Sequence, residues 1–150
     1  MPQSLSNVLI HIVFSTKNRD RLIAPEIEQE LYSYLATTCK SHACPALKIG
    51  GAEDHVHLLS RLSRTITISK LVEQAKKGSS KWIKTKGTKF LKFFWQNGYG
   101  AFSIGASQIP ALRQYIENQK THHQHQSFMD EYRALLKKYQ IEYDERYVWD

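Results

Sequence analysis

The sequence predicts an α+β fold in which an antiparallel sheet carries helices on one face. This prediction rests on two kinds of periodicity. Residues 7–16, NVLIHIVFST, alternate within a β-branched run and indicate a strand. From Pro25 onwards the apolar residues recur at helical spacing instead, and proline is favoured in the first turn of a helix. The chain is therefore predicted to change from strand to helix after its first turn region.

The later elements continue this alternation. In chain order they are predicted as strands at 45–50 and 54–62, a helix at 67–84, a strand with a glycine bend at 91–104, and helices at 109–122 and 127–140. The first six elements follow the split βαβ, or ferredoxin-like, order, to which C-terminal helices are added. A length of 150 residues favours a single domain over 1–150. Ser107 is predicted to cap the first C-terminal helix.

Charge is the clearest signal in the composition. The chain has 21 Lys and Arg residues against 14 acidic ones, a net charge of +7 and a pI near 9.4. This balance favours a polyanionic partner, and nucleic acid is the first candidate. Cys39 and Cys44 are too few for a disulfide framework, and no apolar run reaches the roughly 18 residues that cross a membrane. We therefore expect a cytoplasmic protein without a membrane segment.

Two histidines in the stretch DHVHLL, residues 54–59, are candidates for a metal site. His55 and His57 lie two apart in a predicted strand, so their side chains point to the same face. Neutral imidazole is a common metal ligand, and two imidazoles on one face can bind the same ion. The alternative is a pair of half-buried histidines that only form hydrogen bonds, and the spacing alone does not decide between the two.

A polar stripe on the helix predicted at 109–122 supplies further candidates. At about 100° per residue, Tyr115, Gln119 and His122 fall within about 60° of one another. If this helix packs on the sheet, Gln119 can reach the histidine pair and add an oxygen ligand to two nitrogen ligands. Such a set without a thiolate is compatible with Mg²⁺ or Mn²⁺, although Zn²⁺ also accepts it. The alternative is that Tyr115 is an ordinary boundary residue and Gln119 faces solvent.

A tyrosine beside a divalent metal and a polyanion suggests a specific reaction. A phenol can attack a phosphodiester and form a covalent phosphotyrosine. Its ordinary pKa of about 10 means that it needs help to ionise, and a metal would offset charge at the transition state. The covalent link conserves the phosphoester bond, so a DNA strand can be rejoined later without ATP.

These motifs, taken in order, resemble those of the single-tyrosine HUH transposases, where U is a hydrophobic residue. These TnpA-type enzymes move insertion sequences as single-stranded DNA. The HUH motif is matched by His55-Val56-His57, and about 60 residues later Tyr115 and Gln119 match Y-x-x-x-Q. The segments HIVFSTKNR, ISKLVEQAKKGSSKWI and FWQNGYGAFSIG are also similar to segments of the family. The resemblance implies that Tyr115 is the nucleophile and that His55, His57 and Gln119 bind Mg²⁺ or Mn²⁺.

The resemblance also implies a homodimer that binds DNA hairpins near the ends of the element and cleaves the adjoining single strand. Whether one subunit completes the site of the other stays open. The next tyrosine, Tyr132, is seventeen residues after Tyr115 and is predicted on another helix, which favours one-tyrosine chemistry. His122 could approach Tyr115 or a phosphate as a supporting residue. The candidate DNA contacts are Lys17, Arg19, Arg21, Lys70, Lys76, Lys77, Lys81 and Trp82.

Two other functions are compatible with the sequence. A domesticated relative would have the same site residues but would cut dispersed genomic repeats instead of mobilising its own element. A non-catalytic nucleic-acid-binding module would bind without metal and would need neither Tyr115 nor Gln119. The presence of both residues together with His55 and His57 favours the enzyme.

Overall fold

The computed structural model describes residues 2–150 and is built on a four-stranded antiparallel sheet in the order β2-β3-β1-β4. The strands are β1 (Val8–Ser15), β2 (Ala46–Ala52), β3 (His55–Leu62) and β4 (Gly100–Ile104). The α-helices are α1 (Pro25–Ser41), α2 (Ile68–Ile83), α3 (Ile109–Glu117), α4 (Gln119–His122) and α5 (Phe128–Lys138). This strand order and the β-α-β-β-α-β succession confirm the predicted ferredoxin-like fold.

Helices α1 and α2 cover the first face of the sheet. Ile12 and Phe14 of β1 point to this face together with Val56 and Leu58 of β3, since alternate residues of a strand share a face. Each of the two helices turns an apolar stripe towards them. The buried residues of these stripes include Ile27, Leu31, Leu35, Leu71, Val72 and Ala75. This layer is the main hydrophobic core.

The C-terminal helices cover the second face, which the sequence had not specified. Val13 and Phe102 point to this face and pack with Phe128, Tyr132 and Leu136 of α5 in a separate, smaller apolar cluster. Helix α3 lies across β2 and β3 beside this cluster. The sheet is therefore enclosed between two layers of helices, and a side chain on its second face can be fully buried.

Two predicted elements differ from the structure. Of the predicted strand 91–104, Gly100–Ile104 forms a regular strand beside β1, while Trp95 forms only an isolated bridge to Thr16. The residues before Gly100 pack their aromatic rings in a loop, where Trp95 lies edge-on to both Phe14 and Phe93, at 4.8 Å between centroids. The predicted helix 109–122 is interrupted at Asn118, with φ −92° and ψ 14°, and α4 begins at the next residue.

One local prediction near these elements is also wrong. Ser107 lies inside a short 3₁₀ turn, and Gln108 is the residue that precedes α3, without a side-chain cap. A capping residue must precede the first helical turn with a free side-chain oxygen, and the 3₁₀ turn takes Ser107 out of that position.

No helix among residues 2–150 combines the length and apolar character needed to cross a membrane.

The close packing of α3 on β2 depends on the absence of a side chain at Gly50. A Cβ atom at this position would lie 2.8 Å from both the Cγ2 atom and the carbonyl oxygen of Ile116 in α3. The carbonyl oxygen belongs to the backbone, so the helix would have to move. We predict that Gly50→Ala lowers the free energy of unfolding by about 1–3 kcal/mol in urea denaturation.

The matched control for this variant is Gly105→Ala. Its added Cβ would meet only the Gln108 side chain, at an ordinary 3.5 Å. The control should stay within about 0.5 kcal/mol of the unchanged protein. Equal stability of both variants would contradict the packing described for α3.

Candidate active site

The strand register places the two predicted histidines side by side on the second face of the sheet. His57 is opposite Val13 of β1, and His55 is opposite Ser15. Both imidazoles are fully buried, because the C-terminal helices lie over them. The prediction that His55 and His57 share one face is confirmed.

A third histidine, His11, joins this pair and was missed by the sequence analysis. His11 lies diagonally from His57 across the β1–β3 ladder, and its Nε2 is 2.8 Å from His57 Nδ1. Burial, followed by the charge of His57, lowers the pKa of His11 to about 3. A neutral His11 can accept a hydrogen bond from His57 Nδ1–H, which leaves His57 Nε2 free to act as a ligand. A histidine within the apolar run NVLIHIVF was the available signal.

Asp54 fixes the orientation of His55 from the neighbouring position. Its carboxylate lies 2.7 Å from His55 Nδ1. Although burial opposes ionisation, the hydrogen bond from His55 lowers the pKa of Asp54. A carboxylate only accepts hydrogen bonds, so Nδ1 carries the proton and Nε2 is directed to the opposite side.

Gln119 meets His55 at this other nitrogen. It is the first residue of α4 and is fully buried, with its Oε1 atom 2.8 Å from His55 Nε2. The amide nitrogen donates to Glu131 at 2.8 Å, which fixes the amide orientation. If His55 is neutral with its proton on Nδ1, the lone pair of its Nε2 atom faces a lone pair of Gln119 Oε1. The position between His55 Nε2 and Gln119 Oε1 thus favours a positive charge, either a proton or a metal ion.

Tyr115 lies on the last turn of α3, half-buried beside the histidines. Its ring is edge-on to that of His57, with 5.8 Å between centroids. Its hydroxyl donates a hydrogen bond to the Glu131 carboxylate. Burial, the charge of Glu131 and this hydrogen bond together raise the pKa of Tyr115 above its ordinary value. The phenol is therefore held in its protonated form.

Glu131 of α5 is the acceptor at the centre of the cluster, and no sequence pattern pointed to it. The residue is only 2% exposed. Its Oε1 atom lies 3.2 Å from His57 Nε2 and 2.9 Å from His123 Nε2, while Oε2 accepts from Gln119 and Tyr115. Burial disfavours a charged carboxyl group, but the hydrogen bond from His123 and the contact with His57 outweigh burial and lower the pKa of Glu131.

His122, the predicted supporting residue, lies beside Tyr115, with their ring centroids 5.5 Å apart. Its Nε2 is 3.7 Å from Glu131 Oε2, beyond hydrogen-bond distance. The neighbouring His123 makes the direct hydrogen bond to Glu131 instead. Burial opposes protonation of His123, but the hydrogen bond and charge of Glu131 raise its pKa.

The cluster opens to the surface on two sides. A groove of about 480 Å³ between α3 and α5 reaches Tyr115 and Glu131, with Leu112, Leu135 and Tyr139 in its walls. A second cleft of about 420 Å³ lies beyond His123, between Arg21 and Lys120. An extended polyanion therefore has an approach to Tyr115 through the groove and basic side chains near the second opening.

The candidate DNA contacts do not form one surface. Lys70, Lys77 and Lys81 are exposed on α2, which covers the first face, whereas the cluster of His55, His57 and Tyr115 lies on the second. Trp82 in the same helix stacks on Tyr34, with 5.3 Å between centroids, so one of its ring faces is already covered.

Lys76 differs from the other lysines of α2 because its amine is turned inward. Its Nζ donates to the carbonyl oxygens of Gln96 at 2.8 Å and Gly98 at 2.6 Å. Burial lowers its pKa to about 8. These contacts tie α2 to the loop before β4 and leave Lys76 poorly placed for a phosphate.

Lys17, Arg19 and Arg21 follow the end of β1, and Arg21 lines the cleft that borders His123. Lys17 and Arg21 are exposed, and Arg21 is 3.8 Å from Glu53. Arg19 donates to the backbone carbonyl of Trp149 at 3.2 Å and lies over its ring. The C-terminal segment therefore covers one of these three predicted contacts.

The HUH strand and the tyrosine-bearing helix packed against it place the chain in the class of single-tyrosine HUH proteins. Its sequence matches the family described as "Transposase IS200 like" over residues 4–119. This match spans more than half of the 150 residues, so the chain belongs to the IS200-like transposase family. The resemblance noted from the sequence is confirmed.

Two solved structures have a similar fold. A protein classed as a transposase from Deinococcus radiodurans R1 superposes with a TM-score of 0.61 at 20% identity, over 79% of this chain and 98% of that one. A REP-associated tyrosine transposase bound to a REP hairpin gives a TM-score of 0.62 at 14% identity, over 82% of this chain and 72% of the other. No curated protein matches the sequence significantly.

The low pKa of the buried His11 determines how the free energy of unfolding should depend on pH. Unfolded His11 takes up a proton near pH 6.5, whereas folded His11 does so only near pH 3, so acid favours the unfolded chain. In EDTA, protonation of His11 should lower the free energy of unfolding by about 1.4 kcal/mol per pH unit of acidification between these values. We expect His11→Asn to reduce the slope between pH 5.5 and 4.5 by that amount, measured by urea denaturation.

The exposed His125 provides the control for this measurement. His125→Asn should keep the full slope. A full slope in His11→Asn would show that His11 is not the group that stays neutral in the folded chain.

Proposed function

We propose that this chain cleaves and rejoins single-stranded DNA at the ends of an insertion sequence, with Tyr115 as the nucleophile. One observation carries the proposal: Tyr115, Gln119, His55 and His57 come from three elements and meet in one buried cluster that a groove connects to solvent. A chain that merely bound nucleic acid would have no need for a reactive hydroxyl beside converging ligand atoms.

The proposed step exchanges one phosphodiester for another. The Tyr115 hydroxyl oxygen attacks phosphorus, the bond from phosphorus to the 3′ oxygen breaks, and a 5′-phosphotyrosine and a 3′-hydroxyl result. The proton lost by the phenol balances the proton gained by the leaving oxygen. Attack by a 3′-hydroxyl reverses the step and rejoins the strand, so no external energy source is required.

The residues present fit a divalent cation. Asp54 and His11 direct the Nε2 atoms of His55 and His57 inward, and Gln119 adds an oxygen at the position that favours positive charge. We propose that these three ligands hold Mg²⁺ or Mn²⁺. When bound, such an ion would polarise the scissile phosphate and offset the charge of the transition state.

The proposed substrate includes a DNA hairpin beside the cleaved strand. The REP-associated neighbour is bound to a REP hairpin, which supports a hairpin ligand for this chain too. Lys70, Lys77 and Lys81 on α2, and Lys17 and Arg21 after β1, are exposed cations for its backbone. We further propose a homodimer acting on DNA in the cytoplasm. Within one chain Tyr115 already reaches His57.

A second candidate function is the processing of dispersed palindromic repeats. The likeness to the REP-associated transposase favours it, and it would use the same site residues. Cleavage assays with DNA from both sources distinguish the two: preferential cleavage of the strand that flanks the gene supports an insertion-sequence enzyme, while preferential cleavage of repeats found elsewhere in the genome supports the alternative.

Tyr115→Phe removes the nucleophile while keeping the ring against His57. We predict that single-stranded DNA from the flanks of the gene forms a protease-sensitive adduct with the unchanged protein in Mg²⁺ or Mn²⁺, visible on a denaturing gel. Tyr115→Phe should lose the adduct and keep hairpin affinity, because only the hydroxyl is missing. Tyr143→Phe, at an exposed tail position, is the control and should react normally. An adduct in Tyr115→Phe would exclude Tyr115 as the nucleophile.

His57→Ala tests the proposed metal ligands. We predict a loss of cleavage rate of at least about 100-fold with less than about 3-fold loss of hairpin affinity, because the phosphate loses its cation while the DNA-binding surface is unchanged. Cleavage rates come from the same gel and affinities from fluorescence anisotropy. His125→Ala serves as the exposed control. If His57→Ala weakens both activities equally, the histidine pair supports the fold only.

A further inference from the structure

We propose that Glu131 is a fourth ligand of the cation held by His55, His57 and Gln119, and that its second carboxylate oxygen holds the Tyr115 hydroxyl. One side chain from the C-terminal helix would thus connect the metal to the nucleophile. The inference rests on the proposed function and extends that function by adding a ligand outside the HUH and Y-x-x-x-Q motifs.

The spacing of the ligand atoms supports this role. Glu131 Oε1 lies 3.2 Å from His57 Nε2 and 3.5 Å from His55 Nε2. The ligand atoms of these three residues all lie within 4.8 Å of one another. Atoms that bind one ion at about 2.1 Å stand about 3.0–3.4 Å apart in octahedral or tetrahedral geometry. The two measured separations therefore agree with a shared ion after only small movements.

The charges around Glu131 also support its role as a metal ligand. Among residues 2–150, the ion-pair partners of Glu131 are the imidazoles of His55, His57, His122 and His123, without a lysine or arginine. The nearby Lys120 pairs with Glu28 instead, at 2.9 Å. A buried carboxylate is costly without a compensating cation, and metal coordination is one of the few ways to supply it.

The two oxygens of Glu131 face different groups. Oε1 faces the histidine nitrogens, while Oε2 accepts from Gln119 at 2.8 Å and from the Tyr115 hydroxyl. Coordination through Oε1 leaves the contacts of Oε2 in place. Glu131 is therefore a metal ligand on one side and a positioning residue for Tyr115 on the other.

Binding of Mn²⁺ to the full-length protein without DNA tests the proposal. Free Mn²⁺ is followed by electron paramagnetic resonance for the unchanged chain and for Glu131→Gln, which keeps the shape of the side chain and removes its charge. We expect at least a 10-fold weaker affinity for Glu131→Gln. Glu117→Gln, an exposed position on α3 paired with Lys48, is the matched control and should bind as the unchanged chain does.

The outcomes separate this inference from the proposed function. Tight binding by the unchanged chain and weak binding by Glu131→Gln supports the inference, provided that circular dichroism shows both folded. Equal affinity overturns it and leaves the three-ligand proposal standing. If the unchanged chain and a His57→Ala variant both fail to bind Mn²⁺, the proposed metal site itself is wrong, and the inference fails with it.

A measurement on the unchanged chain applies even if Glu131→Gln does not fold. Crystals soaked in Mn²⁺ give an anomalous signal that locates the ion. A peak within about 2.4 Å of a Glu131 oxygen supports coordination. A peak bound to the histidines but more than about 3.5 Å from both Glu131 oxygens overturns it.

Discussion

The buried carboxylate of Glu131 is the interaction on which the second face of the sheet depends. It contacts β3 through His57, α4 through Gln119, and the last turn of α3 through Tyr115. A charge removed from water must be satisfied by several donors, and each donor here comes from a different part of the chain. Moving any of these elements would leave the carboxylate unsatisfied. The C-terminal helices are therefore held in place by a polar centre as much as by the small apolar cluster of α5.

The same contacts keep Tyr115, the proposed nucleophile, in its protonated form. The negative charge that positions Tyr115 also raises its pKa, and burial adds to the effect. A cation beside Glu131 would offset that charge without removing the hydrogen bond that positions the phenol. His11 and Asp54 direct the histidine nitrogens towards this position from behind. Among residues 2–150 the ion-pair partners of Glu131 are imidazoles, and the polar cluster is thus arranged around a position that favours positive charge.

The fold and half of the cluster were predictable because they depend on short-range periodicity. Two-residue spacing placed His55 and His57 on one face, and helical spacing brought Gln119 to the same side as Tyr115 although the helix breaks at Asn118. Glu131 was not predictable, since its contact with His57 spans 74 residues and an acidic residue in the first turn of a helix has an ordinary explanation in the helix dipole. The inward orientation of the Lys76 amine was also not predictable, because a lysine on a polar helix face is expected to be solvated.

The distribution of charge around Tyr115 favours a cation in the proposed reaction. The chain has a net charge of +7, yet the side chains nearest to Tyr115 include the carboxylate of Glu131, and Asp54 lies behind His55. A DNA phosphate that approached Tyr115 would meet this negative charge, and two like charges 4 Å apart near a protein surface repel by about 4 kcal/mol. The exposed lysines of α2 attract DNA to the molecule but lie beyond the sheet, too far away to cancel this local repulsion. A divalent ion between the histidines and Glu131 would reverse the sign of the potential at the reacting phosphate. The electrostatics of these side chains therefore add a physical reason for the proposed metal, independent of the motifs that suggested it.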